Sequence, residues 1–282
     1  MRRMLLAVLL LAGCAPQPRA AVGTRAQSDI PLRVVTYNIR HGVGSDDKLD
    51  LERTAAVLRR LNPDIIALQE VDERVERSGR VDQAARLGEL LGMQHAFGSF
   101  MDYQGGRYGL AILARHPIRT ATPLRLRDGN EPRVALVVRL ALPDSSSLTA
   151  ISVHFDWVVN DSFRFAQARQ VAAFLDTLSS AYVLMGDFND EPGSRTLALF
   201  QERATEAPKP ADRHLTFSAA QPAKEIDFIF VAPSERWRIG PAQVVDEAVA
   251  SDHRPVFAEL VLRPAVRGAS AHHVVPPAYA AR

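Results

Sequence analysis

Apolar, strand-like segments that each end in a polar side chain constrain the fold of this chain more than any other feature. Between residues 31 and 263 these segments alternate with amphipathic, helix-like ones. Short runs rich in β-branched residues predict strands, whereas an apolar period of about 3.6 residues predicts helices. This alternation, with several strands spaced as hairpin neighbours, predicts an α/β fold in which two sheets pack face to face with helices outside.

The individual segments can be assigned from these two patterns. We predict strands at 32–38, 64–70, 108–114, 134–142, 148–154, 182–185, 226–231 and 255–262, and helices at 49–61, 82–91 and 162–178. Asn62-Pro63 ends the first helix, because proline lacks the backbone donor that a helix interior needs. Residues 98–106 and 155–162 are interpreted as loops that set substrate specificity.

The N-terminus has the character of a secretory signal. Arg2 and Arg3 precede the apolar run 4–12, which is much shorter than the ~20 residues needed to span a bilayer. The next residues, Leu-Ala-Gly-Cys at 11–14, resemble the site at which a bacterial lipoprotein is cleaved and lipidated. The sequence therefore predicts a lipoprotein whose mature chain begins at Cys14.

Cys14 is the only cysteine of the chain, so no internal disulfide can form. A buried thiol is the alternative, since free cysteine often packs in cores, but Cys14 lies between the signal segment and a linker-like stretch. We expect residues 1–13 to be a signal peptide and 14–30 a tether to an extracytoplasmic membrane surface, in preference to plain secretion. Residues 264–282, rich in alanine and proline, are predicted to be a flexible tail, which leaves 31–263 as the folded domain.

The charge balance bears on the choice of partner. Removing Arg2 and Arg3 leaves 32 of the 34 basic residues against 32 acidic ones, so the processed chain is formally neutral. Proteins that hold nucleic acid by its phosphates usually carry a basic surplus or stripe, and the neutral balance disfavours that class. A local basic face stays open as an alternative through the arginines at positions 107, 115, 119, 125 and 127.

Polar residues follow four of the predicted strands. Asn38, Glu70 and His154 each end or follow an apolar run, and a fourth run leads into Asp187 and Asn189. Sites of α/β proteins commonly form at the carboxyl ends of strands. One such residue means little because every strand must end, but four with carboxylate, carboxamide or imidazole groups predict a shared site.

Asp227 provides an independent argument for a site. It lies within the apolar run 226–231, where an isolated ionised carboxylate is costly to bury. His253 is a suitable partner, because a carboxylate bonded to one ring nitrogen orients the ring and raises its pKa. Asp252 and His253 are adjacent and point in different directions, so Asp252 is expected to face a metal while His253 faces the substrate.

Six short motifs occur in the order found in the endonuclease/exonuclease/phosphatase superfamily, which the chain resembles from about residue 34 to residue 257. That superfamily includes DNase I-like nucleases, neutral sphingomyelinases and inositol-polyphosphate phosphatases. The resemblance implies a DNase I-like four-layer sandwich, in which two packed mixed β-sheets are flanked by helices. The motifs are Tyr37-Asn38, Leu68-Gln69-Glu70, Ser152-Val153-His154, Gly186-Asp187-Phe188-Asn189, Ile226-Asp227 and Ser251-Asp252-His253.

The resemblance also implies a metal site and a water activator. Glu70 would be the main ligand of a hard cation, Mg²⁺ or alternatively Mn²⁺, with Asn38 and Asp252 close by. Oxygen-rich ligation suits such an ion, and nothing in the sequence resembles a Cys/His zinc site. Asp187 would orient and activate the attacking water, and Asn189 would donate to the phosphoryl oxygens.

Three further residues receive roles by the same resemblance. His253, held by Asp227, would stabilise charge on the phosphoryl oxygens. His154 would contact the phosphate or protonate the leaving oxygen. Tyr108 matches a position where the superfamily often places a polar side chain that faces the phosphate.

Four arginine and histidine residues depart from the pattern or extend it. Arg40 stands where some DNA-repair members have an acid, which weakens a second-metal or abasic-DNA interpretation. Arg40 and His41 are interpreted either as contacts to a phosphate or headgroup or as a solvated pair. For Arg133 and Arg164 structural ion pairs or helix-surface roles are favoured over roles in the site.

The sequence therefore predicts a metal-dependent phosphoesterase that hydrolyses a lipid or small-molecule phosphodiester by attack of water. A DNase I-like endonuclease or exonuclease is the alternative enzyme. A surface lipoprotein that only binds a partner is the alternative of another class, and it is disfavoured because Glu70, Asp187, Asn189 and His253 are all retained. No Gly-x-Ser-x-Gly elbow supports a serine hydrolase. The sequence carries no signal for an oligomeric state.

Overall fold

The computed structural model describes residues 28–265. The predicted signal peptide, the lipidation site Cys14, most of the tether and the tail beyond residue 265 lie outside the described residues. Within the described part, none of the helices has the length and apolar character needed to cross a membrane.

Residues 28–265 form thirteen strands and four α-helices. The helices are α1 (Leu51–Leu61), α2 (Gln83–Leu91), α3 (Ser162–Leu175) and α4 (Arg195–Gln201). The strands are β1 (Ile30–Asn38), β2 (Ile65–Glu73), β3 (Gln94–Tyr103), β4 (Gly106–Ala114), β5 (Ile118–Arg125), β6 (Val134–Ala141), β7 (Ser147–His154), β8 (Tyr182–Asp187), β9 (Thr205–Glu206), β10 (Asp227–Ala232), β11 (Trp237–Ile239), β12 (Gln243–Val244) and β13 (Val256–Leu262).

The strands form two mixed sheets. The first has the order β11-β13-β1-β2-β4-β3, with β12 also paired to β13, and the second has the order β5-β6-β7-β8-β10-β9. Each sheet contains one parallel pair, β1 with β2 and β7 with β8, and its other pairings are antiparallel. We call the end of the sandwich at which β1, β2, β7 and β8 terminate the site end, and the opposite end the far end.

Three apolar clusters hold four layers together. One lies between the sheets and includes Val34, Ile112, Leu136 and Ile229. A second packs α1 and α2 on the outer face of the first sheet. A third packs α3 and α4 on the outer face of the second sheet. The four-layer α/β sandwich confirms the predicted fold class.

Helix α1 illustrates how local sequence sets the boundaries. The carboxylate of Asp50 accepts a hydrogen bond from the backbone N–H of Arg53 at 2.9 Å and so caps the first turn. Asn62 ends the helix in the left-handed region, with φ of 47°. The buried face includes Ala55 and Leu58, which pack onto the first sheet.

Several segments differ from the sequence prediction. Strand β3 occupies most of 98–106, so the prediction of a specificity loop there was wrong, and residues 104–105 alone turn between β3 and β4. Strand β5 was not predicted because it is an edge strand whose residues 119–123 are exposed, which removes the apolar alternation and tolerates Pro123. Helix α3 ends at Leu175, where the hydroxyl of Thr177 donates to the carbonyl of Phe174.

Candidate active site

A carboxamide on the first sheet connects carboxylates from both sheets at the site end. Asn38, the last residue of β1, donates through Nδ2 to Glu70 Oε1 at 3.2 Å and to Asp187 Oδ2 at 3.1 Å. Glu70 belongs to the first sheet and Asp187 ends β8 of the second. The sandwich therefore brings together side chains that are more than a hundred residues apart in the chain.

Glu70 leaves the strand ladder at a bulge. The pairing of β2 with β4 shifts register between Leu68 and Val71, and Glu70 has a φ of 58°. Bulges beside active sites often re-aim a side chain, and a non-glycine residue with positive φ needs support from its surroundings. Burial raises the pKa of Glu70, but contacts with His41 and Asn38 and the charge of His253 outweigh it and lower that pKa below its ordinary value. Glu70 is therefore anionic at neutral pH.

A buried hydrogen-bond network fixes the strand ends beneath these carboxylates. Gln69 donates through Nε2 to Ser152 Oγ at 3.1 Å and accepts from Thr36 Oγ1 at 3.3 Å, which ties β1, β2 and β7 together. The Ser251 hydroxyl donates to the backbone carbonyl of Asn38 at 2.7 Å. The sequence motifs contain Gln69, Ser152 and Ser251, but pattern alone does not reveal their role, because it depends on contacts between distant strands.

Asp187 lies at the centre of the cluster. Its Oδ1 accepts the backbone N–H of Asn189 at 2.9 Å, and its Oδ2 lies 3.5 Å from His154 Nε2 and 3.6 Å from His253 Nε2. Burial raises the pKa of Asp187 to about 7, with the charge of His253 opposing the increase and that of Asp227 adding to it. A carboxylate with a pKa near the working pH is well suited to accept a proton from water.

His253 and Asp227 form a buried pair. His253 Nδ1 lies 2.9 Å from Asp227 Oδ2, and the other ring nitrogen faces Asp187. Burial lowers the pKa of His253, but the charges of Asp227 and Asp187 prevail and raise it to about 10. His253 is therefore a cation at neutral pH, with its ring orientation held by Asp227.

His154 differs from His253 in its charge. Burial, together with the positive charge of Arg133, lowers the pKa of His154 well below its ordinary value. Its Nδ1 has no hydrogen-bond partner within residues 28–265. The site thus combines a neutral imidazole at His154 with a protonated one at His253.

The remaining predicted residues surround this cluster. Asn189 has a φ of 50° and donates through Nδ2 to the carbonyl of Phe155 at 3.0 Å. Tyr108 is buried against the edge of Phe100, with ring centroids 5.0 Å apart, and lines the cleft. Asp252 is partly exposed and lies 4.0 Å from Arg40 Nε.

A comparison of the chain with models of protein families finds one family that matches most of the described residues. The model of the Endonuclease/Exonuclease/phosphatase family matches residues 35–253. This chain belongs to that family. Members of the endonuclease/exonuclease/phosphatase family are hydrolases that act on phosphoesters, and they include phosphatases, phosphodiesterases and nucleases.

Solved structures share the family fold at low sequence identity. A family protein from Bacteroides thetaiotaomicron has a TM-score of 0.71 and 19% identity, covering 84% of this chain and 100% of that one. A family protein from Beutenbergia cavernae has a TM-score of 0.66 and 23% identity, covering 84% of this chain and 72% of that one. A mannosyl-6-phosphatase from Bacteroides thetaiotaomicron has a TM-score of 0.68 and 20% identity, covering 82% and 100%.

The family site opens into a cleft of about 620 Å³, and two arginines reach it. Arg133 is 1% exposed and pairs with Glu131 at 3.0 Å, while its Nε and Nη1 have no partner among the described residues. Arg164 pairs with Asp190 at 3.0 Å. Both arginines make the ion pairs favoured from the sequence, but they also line the cleft. The unpartnered nitrogens of Arg133 give the site an anion-binding group. The sequence favours this role less than a structural ion pair.

Arg40 and His41 border the cluster on the side of Glu70. Arg40 donates to the carbonyl of Gly44 at 3.0 Å, and its Nη2 lies 3.4 Å from Asp47. His41 Nδ1 lies 3.9 Å from Glu70 Oε2. Arg40 therefore has protein partners beside the site, whereas His41 Nδ1 approaches Glu70 but makes no hydrogen bond within residues 28–265.

The donor set fits a hard divalent cation, the cofactor that the family generally uses. Within residues 28–265, ligand atoms of Asp187, Asp227 and His253 lie within 4.8 Å of one another. Asp227 and His253 already bond each other there, so the carboxylate of Glu70, 25% exposed, is the more available ligand. The carboxylate and carboxamide oxygens gathered here are the ligand type that suits Mg²⁺ or Mn²⁺.

Proposed function

We propose that this chain is a divalent-metal-dependent phosphodiesterase that hydrolyses a lipid or small-molecule phosphodiester by direct attack of water. The observation that carries the proposal is the setting of Asp187. This buried carboxylate has a pKa raised to about 7 and lies between a neutral and a protonated imidazole, His154 and His253. The carboxylate of Asp187 can accept a proton from water, and the protonated imidazole of His253 places a positive charge beside it.

Each residue has a distinct part in the proposed reaction. Glu70, with Asn38 and Asp252 nearby, would hold a divalent cation, which would supply polarisation of a phosphoryl oxygen and neutralisation of developing charge. Asp187 orients the attacking water and accepts its proton. The protonated His253 donates through Nε2 to a phosphoryl oxygen, while Asp227 holds its Nδ1. Preorganised donors of this kind stabilise charge that develops in the transition state.

Three further groups complete the pocket around the phosphate. Arg133 brings a buried positive charge with two unpartnered nitrogens. Asn189 presents its carboxamide at the end of the segment that carries Asp187, and Tyr108 lines the same cleft. His154, as a neutral imidazole, is suited to donate one hydrogen bond to the phosphate or the leaving oxygen rather than to act as a fixed cation.

The distribution of arginines supports a small or lipid substrate over duplex DNA. The strand register assigns Arg107 and Arg125 to the site end, with Arg127 two residues beyond Arg125, but Arg115 and Arg119 to the far end. The five arginines therefore do not form one basic face. Arg107 pairs with Glu73, and Arg125 pairs with Asp128 at 2.8 Å. Polyanion binding relies on arginine and lysine charges that are free to contact successive phosphates.

The experiment that tests this proposal is a hydrolysis panel with the purified full chain. The panel compares a sphingophospholipid, a glycerophospholipid, a soluble diester, a phosphomonoester, RNA, and duplex and single-stranded DNA, with Mg²⁺, with Mn²⁺ and with EDTA. Asp187→Asn is the matched inactive control. We expect metal-dependent cleavage of a diester, with one ¹⁸O atom from labelled water in the phosphate product. Activity that is retained in EDTA or in Asp187→Asn would contradict the proposed mechanism.

We also propose that Cys14 is lipidated and anchors the mature chain to an extracytoplasmic membrane surface. The support is the signal-like segment 1–13 and the small residues before the single cysteine. Two or more acyl chains give stable attachment, whereas one gives marginal binding. The anchor would place the catalytic domain where lipid headgroups are concentrated.

A further inference from the structure

Large exposed apolar side chains occur in the described residues at one end of the molecule. The strand directions place each of them on a loop or first helical turn at the site end, and none on the far end of the described sandwich. Isolated exposed apolar residues need no explanation, but a set gathered at one end of a molecule indicates an interaction surface. The residues are Leu49, Val81, Trp157, Val159, Phe163 and Val249.

The segment after β7 is the most prominent part of this set. Trp157 is 58% exposed and Val159 is fully exposed, and Phe163 projects from the first turn of α3. Trp157 and Val159 also line the mouth of the cleft. We call residues 157–163 the apolar tip.

A second apolar point lies at the same end of the molecule, on loops of the first sheet. Leu49 and Val249 belong to two loops that are joined by hydrogen bonds. Ser45 N donates to the carbonyl of Val249 at 2.9 Å, and its hydroxyl donates to the carbonyl of Ala248 at 2.7 Å. The site end therefore carries exposed apolar residues on loops of both sheets.

We propose that the site end docks on a phospholipid bilayer, with the apolar tip entering the interfacial layer and the cleft facing the headgroups. This proposal rests on the proposed function, since it names the surface that presents the phosphodiester. Tryptophan favours the membrane interface because its ring is largely apolar and its N–H remains hydrated.

The charge of the apolar tip suits this occupant. Asp161 is the only charged residue among 157–163, and its carboxylate pairs with Arg195 at 2.7 Å. The tip can therefore enter an interfacial layer without burying an unpaired charge, which would be costly. A neutral, apolar tip does not complement a nucleic-acid backbone, and it suits a zwitterionic lipid surface.

The position of the N-terminal chain allows the same orientation. Ile30 begins β1 at the far end, and the nine residues of β1 separate it from the site end by about 30 Å. Fifteen residues lie between Cys14 and Ile30, which can span at most about 50 Å. A chain anchored at Cys14 is thus long enough for the site end to face the same membrane.

The two tryptophans make the orientation directly measurable. Trp157 lies at the tip, whereas Trp237 is 5% exposed and pairs with Leu262 at the far end. The full chain is mixed with phosphatidylcholine vesicles that carry brominated acyl chains, in EDTA so that no lipid is consumed. In Trp237→Phe, which reports on Trp157 alone, we expect a blue shift and strong quenching. In Trp157→Phe, which reports on Trp237, we expect neither, whether or not the chain is anchored at its N-terminus.

A charge substitution tests the surface itself. Val159→Asp is introduced into Trp237→Phe. The lipid concentration needed for half-maximal quenching of Trp157 should rise by about tenfold, since burial of one large apolar side chain contributes about that much to binding. Thr120→Asp, an exposed position toward the far end of β5, carries the same added charge and should leave the quenching unchanged.

Three outcomes would overturn the docking proposal. They are an unquenched Trp157, equal quenching of both tryptophans, and a Trp157 emission that responds to protein concentration but not to vesicles, which would indicate self-association. Hydrolysis of a soluble diester in Mg²⁺ is measured separately with the same preparations. That activity tests the proposed function alone, so failure of docking and failure of the enzyme are distinguishable.

Discussion

Asn38 of one sheet donates a hydrogen bond to Asp187 of the other at 3.1 Å. The same amide group reaches Glu70 at 3.2 Å, so one side chain sets the distance between the proposed metal ligand and the proposed water activator. Neither sheet alone contains the site, because Glu70 and Asp187 come from different sheets. Packing of the two sheets is therefore a condition for the chemistry as well as for stability.

Replacement of Glu70 should weaken metal binding without removing the water activator. In Glu70→Gln we expect low activity at limiting Mg²⁺ and partial recovery at high Mg²⁺, because the neutral amide is a poorer ligand. The measurement is the initial rate against Mg²⁺ concentration. Asp187→Ala should show no recovery, and equal recovery in both variants would contradict the separate roles.

Replacement of Asp227 should move the alkaline limit of activity. The carboxylate of Asp227 helps to raise the pKa of His253 to about 10. The proposed mechanism requires His253 to be protonated. In Asp227→Asn the ring still has a hydrogen-bond partner, but the pKa of His253 falls, so the decline of kcat/KM with rising pH begins at a lower pH. Asp246→Asn, at an exposed position, is the control. If the alkaline decline of kcat/KM does not shift in Asp227→Asn, it does not report the deprotonation of His253.

Asp187→Asn should stabilise the metal-free fold while it abolishes activity. Folded Asp187 keeps its proton up to about pH 7, whereas an ordinary aspartate releases it near 3.8, so the stability of the folded state falls as the pH rises between these values. Removing this cost should increase the free energy of unfolding at pH 8 by about 1–3 kcal/mol and leave it little changed at pH 3. The measurement is urea unfolding in EDTA at both pH values. A decrease at pH 8 would show that the charge of Asp187 stabilises the fold.

Most of the fold and most of the candidate site could be predicted from the sequence. Buried strands such as β2 and β8 are continuous apolar runs, and the polar residues at their ends are visible in sequence. Strand β5 could not be predicted, because an edge strand has no second neighbour to select an apolar pattern. Strand β3 contains Gly98, and its alternation is interrupted by a register shift between Ser99 and Met101.

The parts of the site that sequence could not provide depend on contacts between distant segments. Burial lowers the pKa of both His154 and His253, and the two values diverge because Arg133 adds to the decrease at His154 while Asp227 and Asp187 overcome it at His253. Local sequence does not show which arginine reaches which histidine. The unpartnered nitrogens of Arg133 likewise emerge only when the strands are assembled.

The anchoring proposal can be tested independently of catalysis. Cys14→Ser should either release the chain into the soluble extracytoplasmic fraction or leave an uncleaved precursor, because the acylated thiol is lost. The measurements are membrane fractionation and the intact mass of the mature chain. Unchanged membrane retention together with an unchanged mass would contradict lipidation.

The central claim is tested most directly by comparing phosphodiesters under matched conditions. The initial rates for a phospholipid, a soluble diester and duplex DNA are measured at equal phosphodiester concentration with the same Mg²⁺, at low and at physiological salt. We predict that the best lipid or small diester is cleaved faster than duplex DNA at both salt concentrations, and that all cleavage is lost in Asp187→Asn. Cleavage of duplex DNA at least as fast as every lipid and small diester, lost in Asp187→Asn, would contradict the lipid preference and identify a nuclease.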